Sequence, residues 1–436
     1  MLAVVSGDIV YGVSATEHEA DKKLTAQYDE ALDFLVALTD GYFDGDREKI
    51  IIVPGNHDVS MPHVKRAVKA VPIPADIEEK KRLADKLFAY DTKFRWDWKT
   101  FTAYEITDDT IYADRMATFA AFYARFYQGK RTFPLDPTKQ YMVHDFPEFE
   151  LSFLALSSCH HNDLYNRTGR IHPDALAQAT SEMLKLSRLG RLGIGVWHHN
   201  IQGGPNDNDY VDPEFLQILM DGMCGIGMHG HQHKPQLLEH RFSADQRQGI
   251  SIISAGTLCG GPRSLPSGRL RSYNIIELDI EDRKGTVFVR SMTNSDFSNP
   301  VWAKRHIPEF NGDSVDFKLV GERRAPDAMA IAAEADNLSR AGLHRQAFEA
   351  AKRNLDNQYL RRIALNALLE MKDWAGIIQN FYDPKNPREF VTLSAAYEET
   401  ENWELLKALH EGPFSKSQDL AVRQRIDMMR ATLQKG

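Results

Sequence analysis

Ile50-Ile51-Ile52-Val53-Pro54-Gly55-Asn56-His57-Asp58 is the stretch on which the fold turns. Its four branched apolar residues read as a buried strand. Pro54-Gly55 stops that strand, and a polar run follows at once. The chain does the same thing earlier, where Leu2-Ala3-Val4-Val5 feeds into Ser6-Gly7-Asp8. Between the two, residues 22–39 carry Leu24, Tyr28, Leu32, Leu35 and Leu38 at helical spacing. Strand, helix, strand with polar motifs at both strand ends predicts a βαβ unit in an α/β fold. Ligands in such sheets gather beyond the carboxyl ends of the strands.

Two later strand ends carry matching residues. The run Gly193–Trp197 precedes His198-His199, and an apolar run ending near Met228 precedes Gly230-His231-Gln232-His233. Carboxylate oxygen, amide oxygen and imidazole nitrogen held on loops suit Mn, Fe or Zn. Two such ions about 3.5–4 Å apart clamp a phosphate. Asp8, Asn56, His57, His198, His199, His231 and His233 are the candidates. A His-x-His on an extended segment turns both rings to one side, so His231 and His233 are expected on one cluster. His229 shares that parity but falls inside the preceding strand, where a buried, hydrogen-bonded core role is expected. Singly these elements are weak, since Gly-Asp and His-His pairs arise by chance; their order along the chain carries the reading.

Bulk properties narrow the class. The 436 residues suffice for about three domains. The net charge of −8 argues against a broad nucleic-acid-coating surface, which needs a basic footprint. It leaves room for an enzyme that grips a few phosphates. Cys159, Cys224 and Cys259 are isolated, which favours free thiols in a reducing compartment. No run reaches the roughly 18 apolar residues of a membrane span, and the apolar start Met1–Val5 is too short for a signal peptide. A cytoplasmic protein with no membrane partner is expected.

Residues 60–140 break the strand rhythm with aromatics, among them Phe88, Tyr90, Phe94, Trp96, Trp98, Phe101, Tyr104 and Tyr112. Phe119, Phe122, Tyr123 and Phe126 follow on one helical face. A helical insertion is expected there, either a lid over the site or a decoration packed on the core. Strands resume at Tyr141–Phe146, Leu151–Leu156, Ile250–Ser254 and Tyr273–Ile280, with a helix near 174–187. Gly260-Gly261-Pro262 and Pro266-Ser267-Gly268 mark turns. The polar run after 151–158 holds His160, Asn166 and Arg167. These and His199 are candidates for substrate contacts in a phosphate pocket, since Arg suits phosphate, against the plainer reading of a loop bonded to itself. From Pro326 on the chain reads as helical. Leu343, Trp374 and Trp403 open similar helices about 30 residues apart, a period close to that of tetratricopeptide repeats. Stacked helix pairs present a surface to a protein partner, or the region is a helical cap. The expected division is 1–310, a linker at 311–325, and an all-α repeat-like domain at 326–436.

The order Gly-Asp, Gly-Asn-His-Asp, His, Gly-His-x-His resembles the calcineurin-like metallophosphoesterase superfamily, over about residues 1–300. The resemblance implies a two-sheet β-sandwich flanked by helices, and hydrolysis of phosphodiesters or phosphomonoesters by metal-activated hydroxide. Carried over, Asp8 bridges two divalent metals. Asn56, His198 and His231 complete one site, and His233 belongs to the other. His57 contacts the phosphate and helps the leaving oxygen depart, and Asp58 orients His57. His199 lies behind His198. The substrate implied is a phosphoester, in a nucleotide or nucleic acid. The family's first motif, Asp-x-His, has no counterpart, because no histidine here has an aspartate two positions earlier. The missing strand and motif are expected upstream of Met1; without them the chain builds only one metal site. The alternatives are an inert phosphoesterase fold serving as a binding module through its helices, and a nuclease subunit of a larger complex.

Overall fold

The βαβ unit is present in the computed structural model as β1 (Ala3–Ser6), α1 (Ala20–Tyr42) and β2 (Ile50–Val53). β1 and β2 run parallel, with Val4 opposite Ile51 and Ser6 opposite Val53. Parallel pairing brings both carboxyl ends to one edge, so Gly7-Asp8 and Gly55–Asp58 emerge side by side. The structure describes residues 1–433 apart from 90, 203–208, 242–248, 262–263 and 321–325. Tyr90 and Pro262 therefore lie outside the described residues.

The insertion is not the helical block expected. It comprises α2 (Met61–Ala67), β3 (Val68–Val71), α3 (Ile77–Phe88), β4 (Phe94–Asp97), β5 (Thr102–Ile106), α4 (Asp109–Ala113) and α5 (Ala117–Phe126). Strands β3, β5 and β4 form their own antiparallel sheet in that order. Phe94, Trp96 and Tyr104 sit in these strands, where aromatic rings fit a pleated, half-buried surface. The face of α5 is as expected: Phe119, Phe122, Tyr123 and Phe126 are buried. Tyr28 of α1 stacks on Phe122 at 5.0 Å. Each such ring contributes about 1.5–3 kcal/mol on burial, so this face is core rather than lid.

A six-stranded sheet follows, from β6 (Tyr141–Phe146), β7 (Leu151–Leu156), β8 (Leu192–Val196), β9 (Cys224–His229), β10 (Gln236–Arg241) and β11 (Gly249–Ser254), in the order β10-β11-β9-β8-β7-β6. β7, β8, β9 and β11 are mutually parallel, and the outer β6 and β10 are antiparallel to their neighbours. Side chains alternate between its faces. Leu154, Leu156, Ile250 and Ile252 pack under α6 (Pro173–Arg188) and α7 (Phe215–Asp221). Phe153, Ala155, Ile194, Val196, Ile226 and Met228 meet Ile51 and Val53 of β2. They also meet a second antiparallel sheet of β12 (Ser272–Asp279), β13 (Lys284–Met292), β14 (Trp302–Ala303) and β15 (Ser314–Lys318), through Val287 and Phe317. The reverse face of β2, Ile50 and Ile52, packs against α1 and α5. The layering is helix, sheet, sheet, helix, with β2 buried on both faces as its unbroken apolar run requires.

The chain divides into two units, Met1–Arg324 and Ala325–Gly436. Residues 311–325, expected as a linker, instead contain β15, which pairs antiparallel with β13. Residues 321–325 are outside the described set. The second unit holds α8 (Ala328–Arg340), α9 (His344–Ala351), α10 (Gln358–Glu370), α11 (Trp374–Phe381), α12 (Pro387–Glu399), α13 (Trp403–Glu411) and α14 (Leu420–Leu433). Four longer helices, α8, α10, α12 and α14, alternate with three shorter ones. Asp327, Asn357 and Asn386 cap α8, α10 and α12 with side-chain oxygens. Gly342, Lys372 and Glu401, at positive φ, turn the chain into the shorter partners. No described helix is long and apolar enough to cross a membrane.

Candidate metal centre

Four strand ends converge. Asp8 follows β1, Asn56 follows β2, His198 follows β8 and His231 follows β9. Glycine makes the approach possible. Gly7 has φ +94°, and a Cβ there would collide with the ring of His198, 2.7 Å from its Cγ. A Cβ at Gly55 would strike the carboxylate of Asp8. The glycines of both motifs are thus space for the neighbouring ligand as much as turn residues.

The histidine protons follow from their partners. His198 Nδ1 lies 2.7 Å from the Ser6 carbonyl, which only accepts, so Nδ1 carries the hydrogen and in the neutral ring Nε2 keeps its lone pair. That Nε2 is 2.9 Å from Asn56 Oδ1 and 3.3 Å from Asp8 Oδ1. His231 is arranged in mirror fashion. Its Nε2 meets Asp209 Oδ2 at 3.2 Å, and its Nδ1 faces Asn56 Oδ1 at 3.0 Å and His198 Nε2 at 3.1 Å. Donor atoms of Asp8, His198 and His231 all fall within 4.8 Å of one another. Ligands on one ion with bonds of about 2.1 Å stand about 3.0 Å apart at a right angle and about 3.4 Å apart at the tetrahedral angle. The spacings here match those edges. The oxygen and nitrogen atoms that face one another call for a positive charge among them, which a proton on His198 Nε2 or a metal ion supplies. The residues therefore fit a divalent metal ion.

Burial by itself would raise Asp8, yet the charge and hydrogen bond of His198, with the His57 backbone N–H at 3.0 Å, hold it below the usual carboxylate range. Burial disfavours a charged His198, and Asp8 more than offsets this, so its pKa is raised.

Several expected roles are corrected. Asp58 does not orient His57. Its buried carboxylate accepts the N–H of Gly55 at 2.7 Å, the N–H of Ile9 at 3.3 Å and the Tyr28 hydroxyl at 2.8 Å. It braces the two motif loops against α1, and burial followed by the charge of Asp8 pushes it up to about 6. His57 is held instead by the Tyr11 carbonyl, 2.6 Å from its Nδ1. His233 does not join the cluster. β9 ends at His229, and His231 and His233 have φ of +68° and +54°. The segment is left-handed, so strand parity does not apply, and His233 Nδ1 donates to the Ser264 carbonyl at 2.7 Å. Among the described residues the second site has no ligand set. His229 is buried in β9, beside Trp197, as expected.

The proposed phosphate-pocket residues are also placed otherwise. His199 is fully buried, with Nδ1 2.8 Å from Ser158 Oγ and Nε2 3.2 Å from Asn162 Nδ2. Burial, then the neighbouring His198 and His231, drive its pKa far down. It is a neutral buttress behind the ligands rather than a substrate contact. Asn166 is consumed within its loop, giving Nδ2 to the His161 carbonyl and accepting from Thr168 N–H. Arg167 is exposed, and its carbonyl accepts from Asn162. The self-bonded loop is the arrangement observed. His160 stacks on His161 at 4.1 Å. Asp91, His160 and His161 form a second cluster of metal-binding type. Arg170 donates to His161 Nδ1 at 3.2 Å, which leaves the hydrogen on Nε2, 3.1 Å from Asp91. That nitrogen is a donor, so the cluster is a hydrogen-bonded His–Asp contact.

Asp209 and Tyr11 carried no sequence signal: one lies in a polar loop, and the other acts through its backbone. The chain matches no protein-family model and no curated protein.

Proposed function

We propose that the first unit is a metal-dependent phosphoester hydrolase centred on Asp8, Asn56, His198 and His231. One observation carries the reading. Both imidazoles have their far nitrogens tied to oxygen acceptors, as metal-ligating histidines do, and their near nitrogens meet beside Asn56 Oδ1. The mixed oxygen and nitrogen set suits Mn, Fe or Zn. When bound, such an ion polarises a phosphoryl oxygen and acidifies water. The rest falls to the chain itself. His57 gives Nδ1–H to Tyr11, which leaves Nε2 to exchange a proton with the leaving oxygen. Asp58 and Tyr28 lock the loops that hold His57 and Asp8. Because His233 is engaged by Ser264, the reading is of one ion per chain. The motif order and the helix–sheet–sheet–helix layering support a calcineurin-like phosphoesterase, with diesters favoured. The paired C-terminal helices support a tetratricopeptide-like partner-binding region.

The test is metal analysis with hydrolysis of bis-p-nitrophenyl phosphate in Mn²⁺. One ion per chain and measurable turnover are expected. His198→Ala should lose both, while His57→Ala should keep the ion and lose turnover by about 10²–10⁴-fold. A wild-type chain that retains no transition metal and cleaves nothing would sink the proposal.

A further inference from the structure

We infer that Asp209 is the positioning residue that makes His231 a ligand; the inference rests on the metal-centre reading above. His198, like His231, lies two residues beyond the end of its strand, but its ring is fixed by a backbone carbonyl, which no substitution removes. His231 lacks that security. It lies two residues beyond the end of β9, at φ +68°, and sheet register does not set its direction. Its Nδ1 faces the cluster only while the hydrogen resides on Nε2 and the ring does not flip. The carboxylate at 3.2 Å from Nε2 supplies both conditions: it accepts Nε2–H, and it penalises the orientation that would bring a lone pair against it.

The backbone just after Asp209 is anchored. The Tyr210 carbonyl accepts from Gly169 N–H at 3.0 Å, and Val211 N–H donates to the Asn200 carbonyl at 2.8 Å. The carboxylate is therefore presented from a fixed strip beside the loop that follows β8, independently of the strands bearing the other ligands. Its side chain is 37% exposed, so truncation opens no hole in the core. Partners of this kind typically set metal affinity by 10–100-fold.

The experiment uses the full chain, stripped of metal and titrated with Mn²⁺ by calorimetry, with wild type, Asp209→Ala, Asp209→Asn and His198→Ala. Asp209→Ala should weaken Mn²⁺ by about 10–100-fold with unchanged stoichiometry at saturation. Asp209→Asn keeps a neutral acceptor and should recover part of the loss. In metal-free protein, ¹⁵N NMR of the His231 ring, assigned by its disappearance in His231→Gln, should show the Nε2–H tautomer in wild type and a mixture in Asp209→Ala. If wild type binds Mn²⁺, His198→Ala does not, and Asp209→Ala matches wild type in affinity and tautomer, the role of Asp209 is overturned and the centre stands. If wild type binds no Mn²⁺, the centre itself is overturned and the ligand role goes with it.

Discussion

At the residue scale the site is made by what is small and by which atom carries a proton. Gly7 illustrates the first. Any Cβ there must displace the His198 ring from the Ser6 carbonyl, at a φ that side chains rarely adopt. Gly7→Ala should therefore cost about 1–3 kcal/mol of stability and weaken Mn²⁺ more than tenfold; denaturation midpoints and calorimetry check the two parts separately, and intact metal affinity would contradict the packing argument. His144 illustrates the second. It is wholly buried in β6, and neither ring nitrogen has a hydrogen-bond partner among the described residues. Burial, then Arg131, pushes its pKa down to about 3. The folded state keeps it neutral while the unfolded chain takes up a proton below about 6.5. Stability is therefore lost as pH falls from 7, by roughly 2 kcal/mol at pH 5 at 1.36 kcal/mol per pKa unit. His144→Leu should flatten that limb of a urea-denaturation profile relative to wild type; parallel profiles would refute the assignment. The sequence brought forward the residues proposed as ligands but not which of their atoms face one another. Asp8, Asn56, His198 and His231 follow strands and could be read from the motifs. Asp58 and His233 were misassigned because their partners, Tyr28 and Ser264, are distant in the chain and belong to no pattern.

At the element scale, strands dominated by apolar residues were legible to the residue, as with Ile50–Val53, Tyr141–Phe146 and Leu151–Leu156. The strands of the insertion and β10, β13 and β15 were not. They mix apolar residues with polar and charged ones, as in Gln236–Arg241 and Ser314–Lys318, and only pairing with a neighbour makes them strands. The insertion is fastened by a contact that no pattern could show. Arg95 of β4 donates through Nε to Asp163 at 2.7 Å, with both side chains buried. Asp163 also accepts from the Tyr112 hydroxyl at 2.8 Å and from the N–H groups of Tyr165 and Asn166. Burial opposes the charge on Arg95, and Asp163 more than restores it. Removing one member of such a pair strands the other charge, at about 3–5 kcal/mol. Asp163→Ala should lower unfolding free energy by that amount and expose residues 68–106 to limited proteolysis. A loss under about 1 kcal/mol would show that the small sheet is held by its apolar contacts alone.

At the scale of the whole molecule the chemistry and the helices are separable. Every member of the centre, Asp209 included, falls in Met1–Arg324. The second unit has an interior of its own, with Leu360, Ile363, Leu368, Ile377, Phe381, Phe390, Leu393 and Leu406 buried. Its repeat was visible as a spacing of large apolar residues. The physical basis is a recurring cap: Asp327, Asn357 and Asn386 each satisfy backbone donors at the start of a long helix. Arrays of this kind derive stability from each repeat and its immediate neighbours, so they need no second domain to fold. Residues 326–436 expressed alone should give a helical far-UV spectrum and a cooperative thermal transition, and Asn357→Ala should lower that stability by about 1 kcal/mol. The companion fragment 1–320 should bind Mn²⁺ with the stoichiometry of the full chain. Helix loss in the first fragment would mean that the caps and the local core are too weak to sustain the array. Loss of the ion from the second would mean that the loops after β1, β2, β8 and β9 depend on the helical unit for their convergence, which the bonds holding each ligand within the first unit argue against.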